Sequence, residues 1–347
     1  MFFDIHVHCR DGRQSYKETI EHALYVAEKA NYSALFDMAY NADPPTTRMQ
    51  VAMDRIDAAK SCESPVYYGV YMGITKDDAQ IAEAVRAVNE IPEVIGIKFC
   101  VDHTTGDCGI TELADQRHVY KRLVIEGYDG VLAEHCEKKS RRRPELWNPQ
   151  NPASHAYARP PESEVESVRD QIMLAGEEGF KGTVHVAHIS VPEAVDLVND
   201  ARKYIKITCA ATPHHIRFNQ DRMMLDDGLQ FKMNPSLRPE EMRCGILNDL
   251  KSGRINCVET DHAYHRLNEK INEPYLSGIP VMHYMPRFAE FLRSEEFSEE
   301  RIEDATFNNP KKIFGKKAEH IKKRETDLTT GLDGFSLGYE FDPFRGI

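Results

Sequence analysis

The chain has 347 residues, 41% of them hydrophobic, which is enough for one large barrel or two smaller domains. A formal net charge of −12 argues against a nucleic-acid partner, because phosphate binding needs a surplus of Lys and Arg on some face. The sequence has no run of 18 apolar residues and no signal-type start, and its eight cysteines form no CxxC pair, so the expectation is a soluble, cytoplasmic protein with reduced thiols, no membrane partner and a small-molecule substrate.

Short apolar runs rich in β-branched and aromatic residues alternate with amphipathic stretches along the chain. Strands are expected over 2–8, 34–38, 66–71, 94–99, 130–134, 182–188, 205–209 and 255–260. Between them, helical periodicity covers 16–30, 47–61, 77–89, 112–126, 164–178, 192–203 and 239–252. Eight alternations without a Gly-rich nucleotide loop predict an α/β fold, a closed (β/α)8 TIM barrel over 1–315, in preference to an open doubly wound sheet. Residues 316–347 carry no clear period and read as a C-terminal extension packed on or near the barrel. The segment 137–162 is rich in Pro, Asn and Arg and long for a connection, so it is either functional or mobile. Its basic run, Lys138-Lys139-Ser140-Arg141-Arg142-Arg143, reads as a solvated loop.

Residues that bind metals gather where these strands end. His6 and His8 lie two apart on the first strand, so both imidazoles point to one side and can share an ion. Lys98 closes an apolar run on the fourth strand, where its ammonium must be paired, neutralised or modified; a snorkelling lysine is the plainer alternative. His135, His188 and Asp261 follow the fifth, sixth and eighth strands. A barrel that builds its site on that edge predicts such a recurrence. The set suits two divalent ions of borderline softness such as Zn²⁺, which Lys98 can bridge only if its amine has taken up CO₂ as an N6-carboxylate.

These residues also carry a resemblance. His6-Val7-His8-Cys9-Arg10-Asp11 resembles the HxHxRD opening of dihydroorotases in the amidohydrolase superfamily. Asn41 with Pro44-Pro45-Thr46, Gly96-Ile97-Lys98, Asn151-Pro152-Ala153-Ser154-His155 with Arg159-Pro160, Ala211-Thr212-Pro213-His214-His215, Asn234-Pro235-Ser236-Leu237-Arg238, Thr260-Asp261-His262-Ala263-Tyr264-His265 and Asn309-Pro310-Lys311-Lys312-Ile313-Phe314-Gly315 are similar to further motifs of that family. The resemblance implies that His6, His8, Lys98 and Asp261 hold one ion, and Lys98, His135 and His188 the other. It further implies that Arg10, Asn41 and His265 grip the substrate carboxylate and that Asn234 lines the ring pocket. The implied reaction is reversible hydrolysis of (S)-dihydroorotate to N-carbamoyl-L-aspartate in pyrimidine (UMP) biosynthesis, through a hydroxide bridging both ions, with Asp261 as general base and acid.

Several neighbours have plainer readings. His185 is expected to support the ligands, His214, His215 and His262 to orient them or fill polar space, and His155 and Arg159 either to close the long loop over the site or to form a plain loop salt bridge. Thr104 and Thr105 after the fourth strand are expected in a lid, with a surface turn as the competing account. Departures from the family pattern at Tyr40, Ser236, Tyr264 and 277–284 fall in the substrate pocket and bear on substrate identity. Two alternatives therefore stay open: another cyclic amidohydrolase of the hydantoinase, dihydropyrimidinase or allantoinase kind, and a non-catalytic partner of aspartate transcarbamoylase. A homodimer is compatible with everything above.

Overall fold

Strands that are parallel need cover on both faces, and those of this protein are buried nearly end to end. The structure is a computed structural model that describes residues 1–40, 44–102, 109–324 and 331–347. Among these residues the strands are β1 (Phe2–Val7), β2 (Tyr32–Asp37), β3 (Tyr67–Gly73), β4 (Val94–Cys100), β5 (Val131–His135), β6 (Thr183–Val186), β7 (Ile207–Ala211) and β8 (Cys257–Val258). They lie in sequence order, each parallel to the next. A main-chain bridge between Val7 and His262, with His8 N donating to His262 O at 2.8 Å, joins the last strand region to the first. The expected (β/α)8 barrel is therefore the fold.

Two of the barrel helices begin at a short polar side chain that caps them. Thr19 accepts from His22 N at the head of Ile20–Lys29, and Asp77 accepts from Gln80 N at the head of Asp78–Glu90. Each cap stabilises its helix by about 1 kcal/mol. The main difference from the expected boundaries is at β8, which spans two residues where 255–260 was expected. Beyond Glu259, whose N still donates to Ala211 O, the chain leaves the ladder: Thr260 N donates to the Asp4 carboxylate at 3.0 Å instead of to a main-chain oxygen of β1, and Asp261 takes φ 46°.

The 137–162 segment is held down by buried side chains. It contains the helix Ser154–Ala158 and short turns Lys139–Arg141 and Pro144–Leu146, and it buries His155 and Arg159. Its basic run is paired with acids: Lys138 with Asp170 at 2.6 Å, Arg141 with Glu166 at 2.7 Å and Arg142 with Asp102 at 2.5 Å. Residues 331–347 pack back on the protein through Tyr339, Phe341 and Phe344, the last stacked on Tyr284 with ring centroids 4.0 Å apart. Asp342 accepts from His283 Nε2 at 2.9 Å, and Tyr339 Oη donates to Glu18 at 3.0 Å. Among the described residues no helix is long and apolar enough to cross a membrane.

Candidate active site

At the C-terminal edge of the strands a cavity of about 360 Å³ is lined by His6, His8, Arg10, Lys98, His135, His188, Asn234, Asp261 and His265. Residues from β1, β4 and β5, and from the ends of β6 and β8, thus converge on one mouth. Asn41, Thr104 and Thr105 lie outside the described residues.

Two groups of ligand atoms form within this mouth. Asp261 Oδ1 lies 3.0 Å from His8 Nε2 and 3.4 Å from His6 Nε2. His135 Nδ1 faces His188 Nε2 at 2.9 Å, with the rings steeply inclined at 68°. His6 and His188 bring the groups together, their ring centroids 5.3 Å apart. Lys98 is buried, and burial lowers the pKa of its amine; among the described residues it has no hydrogen-bond partner. His188 and Asp261 both adopt left-handed backbone, φ 38° and 46°. For residues other than glycine such geometry costs on the order of 1–3 kcal/mol and is characteristic of functional positions.

The outer partners fix which nitrogen each imidazole presents. Glu259 accepts from His6 Nδ1 at 3.1 Å, from His185 Nε2 at 3.3 Å and from the His188 main chain at 2.6 Å. A carboxylate on Nδ1 leaves His6 Nε2 as an unprotonated donor atom toward the cavity. Burial alone would raise the pKa of Glu259, yet His6 and His185 hold it well below the carboxylate range. His6 is itself lowered to about 4, first by burial and then by Lys98, which keeps the ring neutral. On the other side Glu137 Oε2 lies 3.0 Å from His135 Nε2, which turns Nδ1 toward His188. Asp102, His135 and Glu137 could be read as a further metal cluster. Their carboxylates are already occupied by Arg142 and Arg159, with Arg159 Nη2 2.6 Å from Asp102, so the cluster is a support for His135.

Donor chemistry and geometry fit metal ions in the mouth. Two imidazoles and a carboxylate, His6, His8 and Asp261, converge within 4.8 Å, and His188 Nδ1 is buried without a partner among the described residues. Asp261 stays ionised: burial would raise its pKa, but the hydrogen bond from His8 and the neighbouring imidazoles hold it well below the usual range.

The remaining wall is built for an anion and a polar ring. Arg10 is buried, with Nε 3.3 Å from Tyr264 O and Nη2 3.0 Å from His265 Nε2. Asn234 Oδ1 accepts from Ser277 Oγ at 3.2 Å and faces His155 Nε2 at 3.0 Å, so the long 137–162 segment orients this amide. The departures from the family pattern have structural roles. Tyr264 packs its ring on Tyr339 at 4.8 Å and accepts from Glu340 N at 3.0 Å, while Tyr40 Oη bonds Ile74 and Lys98 main-chain oxygens at 3.0 and 3.1 Å. His262 contacts Glu18 at 3.0 Å and accepts at Nδ1 from Val281 N, and His215 sits between Thr212 Oγ1 and Pro235 O. Glu259, Glu137 and Lys17 were not singled out in the sequence. An acid inside the apolar run before Thr260-Asp261 was the available signal for Glu259, since a buried carboxylate needs a partner.

No protein-family model matches the sequence. A dihydroorotase of Halobacterium salinarum is 33% identical over 339 residues, spanning 94% of this chain and 74% of that protein. A dihydroorotase of Aquifex aeolicus is 29% identical over 324 residues, spanning 90% and 72%. Among solved structures, L-hydantoinase (dihydropyrimidinase) from Arthrobacter aurescens superposes with a TM-score of 0.79 at 19% identity, covering 95% of this chain and 73% of that one. Dihydropyrimidinase from Brevibacillus agri gives 0.76 at 17% identity, covering 96% and 73%. At such identities the structural likeness is one of fold.

Proposed function

This chain belongs to the dihydroorotase family, and from that premise we propose that it catalyses the reversible ring opening of (S)-dihydroorotate to N-carbamoyl-L-aspartate, a step of pyrimidine biosynthesis. The observation that carries the reading is the cavity in which the imidazoles, Lys98 and Asp261 meet Arg10, His265 and Asn234.

His6, His8 and Asp261 would hold one Zn²⁺, His135 and His188 a second, with Lys98 bridging them as an N6-carboxylate. Carboxylation suits a buried amine because it removes a positive charge that burial disfavours. When bound, such ions supply an acidified water and polarise the ring carbonyl. Asp261, ionised at rest, takes the proton of the attacking water and returns it to the ring nitrogen as the amide C–N bond breaks and the new C–O bond forms. Arg10 and His265, with Asn41, hold the ring carboxylate, and Asn234 faces the ring. A lid carrying Thr104 and Thr105 would cover the substrate. In the synthetic direction the same groups act in reverse order. Catalysis is assigned to 1–315 with 316–347 as its extension, in a cytoplasmic protein compatible with a homodimer and acting on a small molecule, without nucleic-acid or membrane partners.

Hydrolysis of dihydroorotate by metal-replete protein, measured beside hydantoin, dihydrouracil and allantoin, tests the reading. Faster turnover of any of the three carboxylate-free rings would transfer the assignment to that substrate, and no turnover of any would leave the non-catalytic partner.

A further inference from the structure

Beside Arg10 the cavity holds another cation. Lys17 lines the same wall with its side chain only 6% exposed. Its Nζ lies 3.1 Å from His265 Nδ1 and 3.1 Å from Glu269 Oε1. Across the same ring, Arg10 Nη2 stands 3.0 Å from His265 Nε2. A neutral imidazole has one N–H and one acceptor lone pair, so it cannot accept from a guanidinium and an ammonium together. One of the two cations is thus left with an N–H that the ring does not satisfy.

Charge points the same way. Among the described residues Arg10 has no carboxylate within salt-bridge distance, and Lys17 has Glu269 alone. That acid also accepts from Tyr16 Oη at 2.7 Å and from Arg266 N at 3.0 Å. Arg10, buried without a carboxylate in contact, and Lys17, partly buried against Glu269 alone, thus stand on two sides of one ring, with Glu18 and Asp261 acting on Arg10 only from beyond contact. A bound carboxylate, with two oxygens and about four acceptor sites, satisfies both cations and frees the ring to donate.

We propose that Lys17 is a specificity-determining residue that binds the substrate carboxylate jointly with Arg10 and His265, so that the pocket selects cyclic amides bearing a ring carboxylate over neutral hydantoins and dihydropyrimidines. The inference rests on the ring-opening reading above and adds a fourth arm to its carboxylate grip.

Calorimetric binding of orotate to metal-replete wild type, Lys17→Met and Lys17→Arg, with steady-state kinetics on dihydroorotate, tests it. Loss of a charge-assisted contact should weaken orotate about 10-fold or more in Lys17→Met and raise KM by a similar factor, with kcat within about 3-fold. Lys17→Arg should recover most of the affinity, which a simple tether for Glu269 would not require. Should Lys17→Met fail to fold, Lys17→Gln carries the same comparison. Equal orotate affinity in wild type and the uncharged variant, or no orotate binding by wild type, overturns the proposal. If wild type opens no dihydroorotate while the uncharged variant still loses orotate, the carboxylate site stands and the ring-opening reading falls.

Discussion

His6, His8 and Asp261 come from the seam between β1 and β8, and His6 leans on Glu259, whose hydrogen-bond donors are two imidazoles and one main-chain N–H. His135, on β5, leans instead on Glu137, which Arg159 already engages together with Asp102. The first side is set by strand ends alone. The second borrows its support from the 137–162 segment, and guanidinium charge offsets the carboxylate behind its ligand. Since a cation in the mouth feels the net charge of its surroundings, the seam side should hold an ion more tightly than the side backed by Arg159.

Removing the shared proton carrier should have the largest effect: Asp261→Asn is expected to lower kcat on dihydroorotate about 10³-fold, and near-normal turnover would remove Asp261 from the chemistry. Glu259→Gln should come next. Losing a carboxylate partner of a ligating histidine typically costs about 10–100-fold in metal affinity, so metal titration should show the seam position weakened more than the other, whose His188 loses only the charge behind its main-chain N–H. Equal loss at both positions would erase the contrast. Arg159→Met should do the reverse, tightening the His135 position by up to about 10-fold, because the Glu137 carboxylate behind it loses its compensating guanidinium. It should also lower the melting temperature, because Asp102 would keep only Arg142 and Glu137 would be left with His135 alone. Timed chelation of the wild type should then release its ions in two phases, whereas one phase would mean the two sides are equivalent.

The smallest effect concerns the C-terminal segment and pH. Burial would raise the pKa of Asp342, but its hydrogen bond from His283 holds it down at about 2. A carboxylate depressed in the folded state stabilises above its ordinary range, near 4, and that contribution is lost as pH falls towards about 2. Hydrogen exchange should therefore show 331–347 losing protection in this window before β1 does. Asp342→Asn should remove the pH dependence without altering β1.

The strand ends were legible because a period-two pattern puts His6 and His8 on one side and because barrels place chemistry at one edge. What stayed illegible depends on pairings distant in sequence. Arg159 looked like a loop residue because its partner Asp102 lies 57 positions earlier, and nothing local marks the pair. Lys17 fell within the expected helix 16–30, whose observed start is Ile20, and its proximity to His265, 248 positions later, appears only once the intervening chain has folded. The short β8 was over-extended for a related reason: Thr260 bonds the Asp4 side chain in place of the β1 main chain, a choice made by tertiary structure.

The 253-residue separation between His8 and Asp261 also bears on how the protein is made. Synthesis delivers the first imidazoles early and their carboxylate late, and Tyr339 must follow before Glu18 gains that bond beside His262. A ribosome-bound chain carrying seven strands would possess most of the hydrophobic barrel and still be unable to close its ion site. Metal loading is thereby deferred to the end of translation, when the polypeptide can retain what it captures.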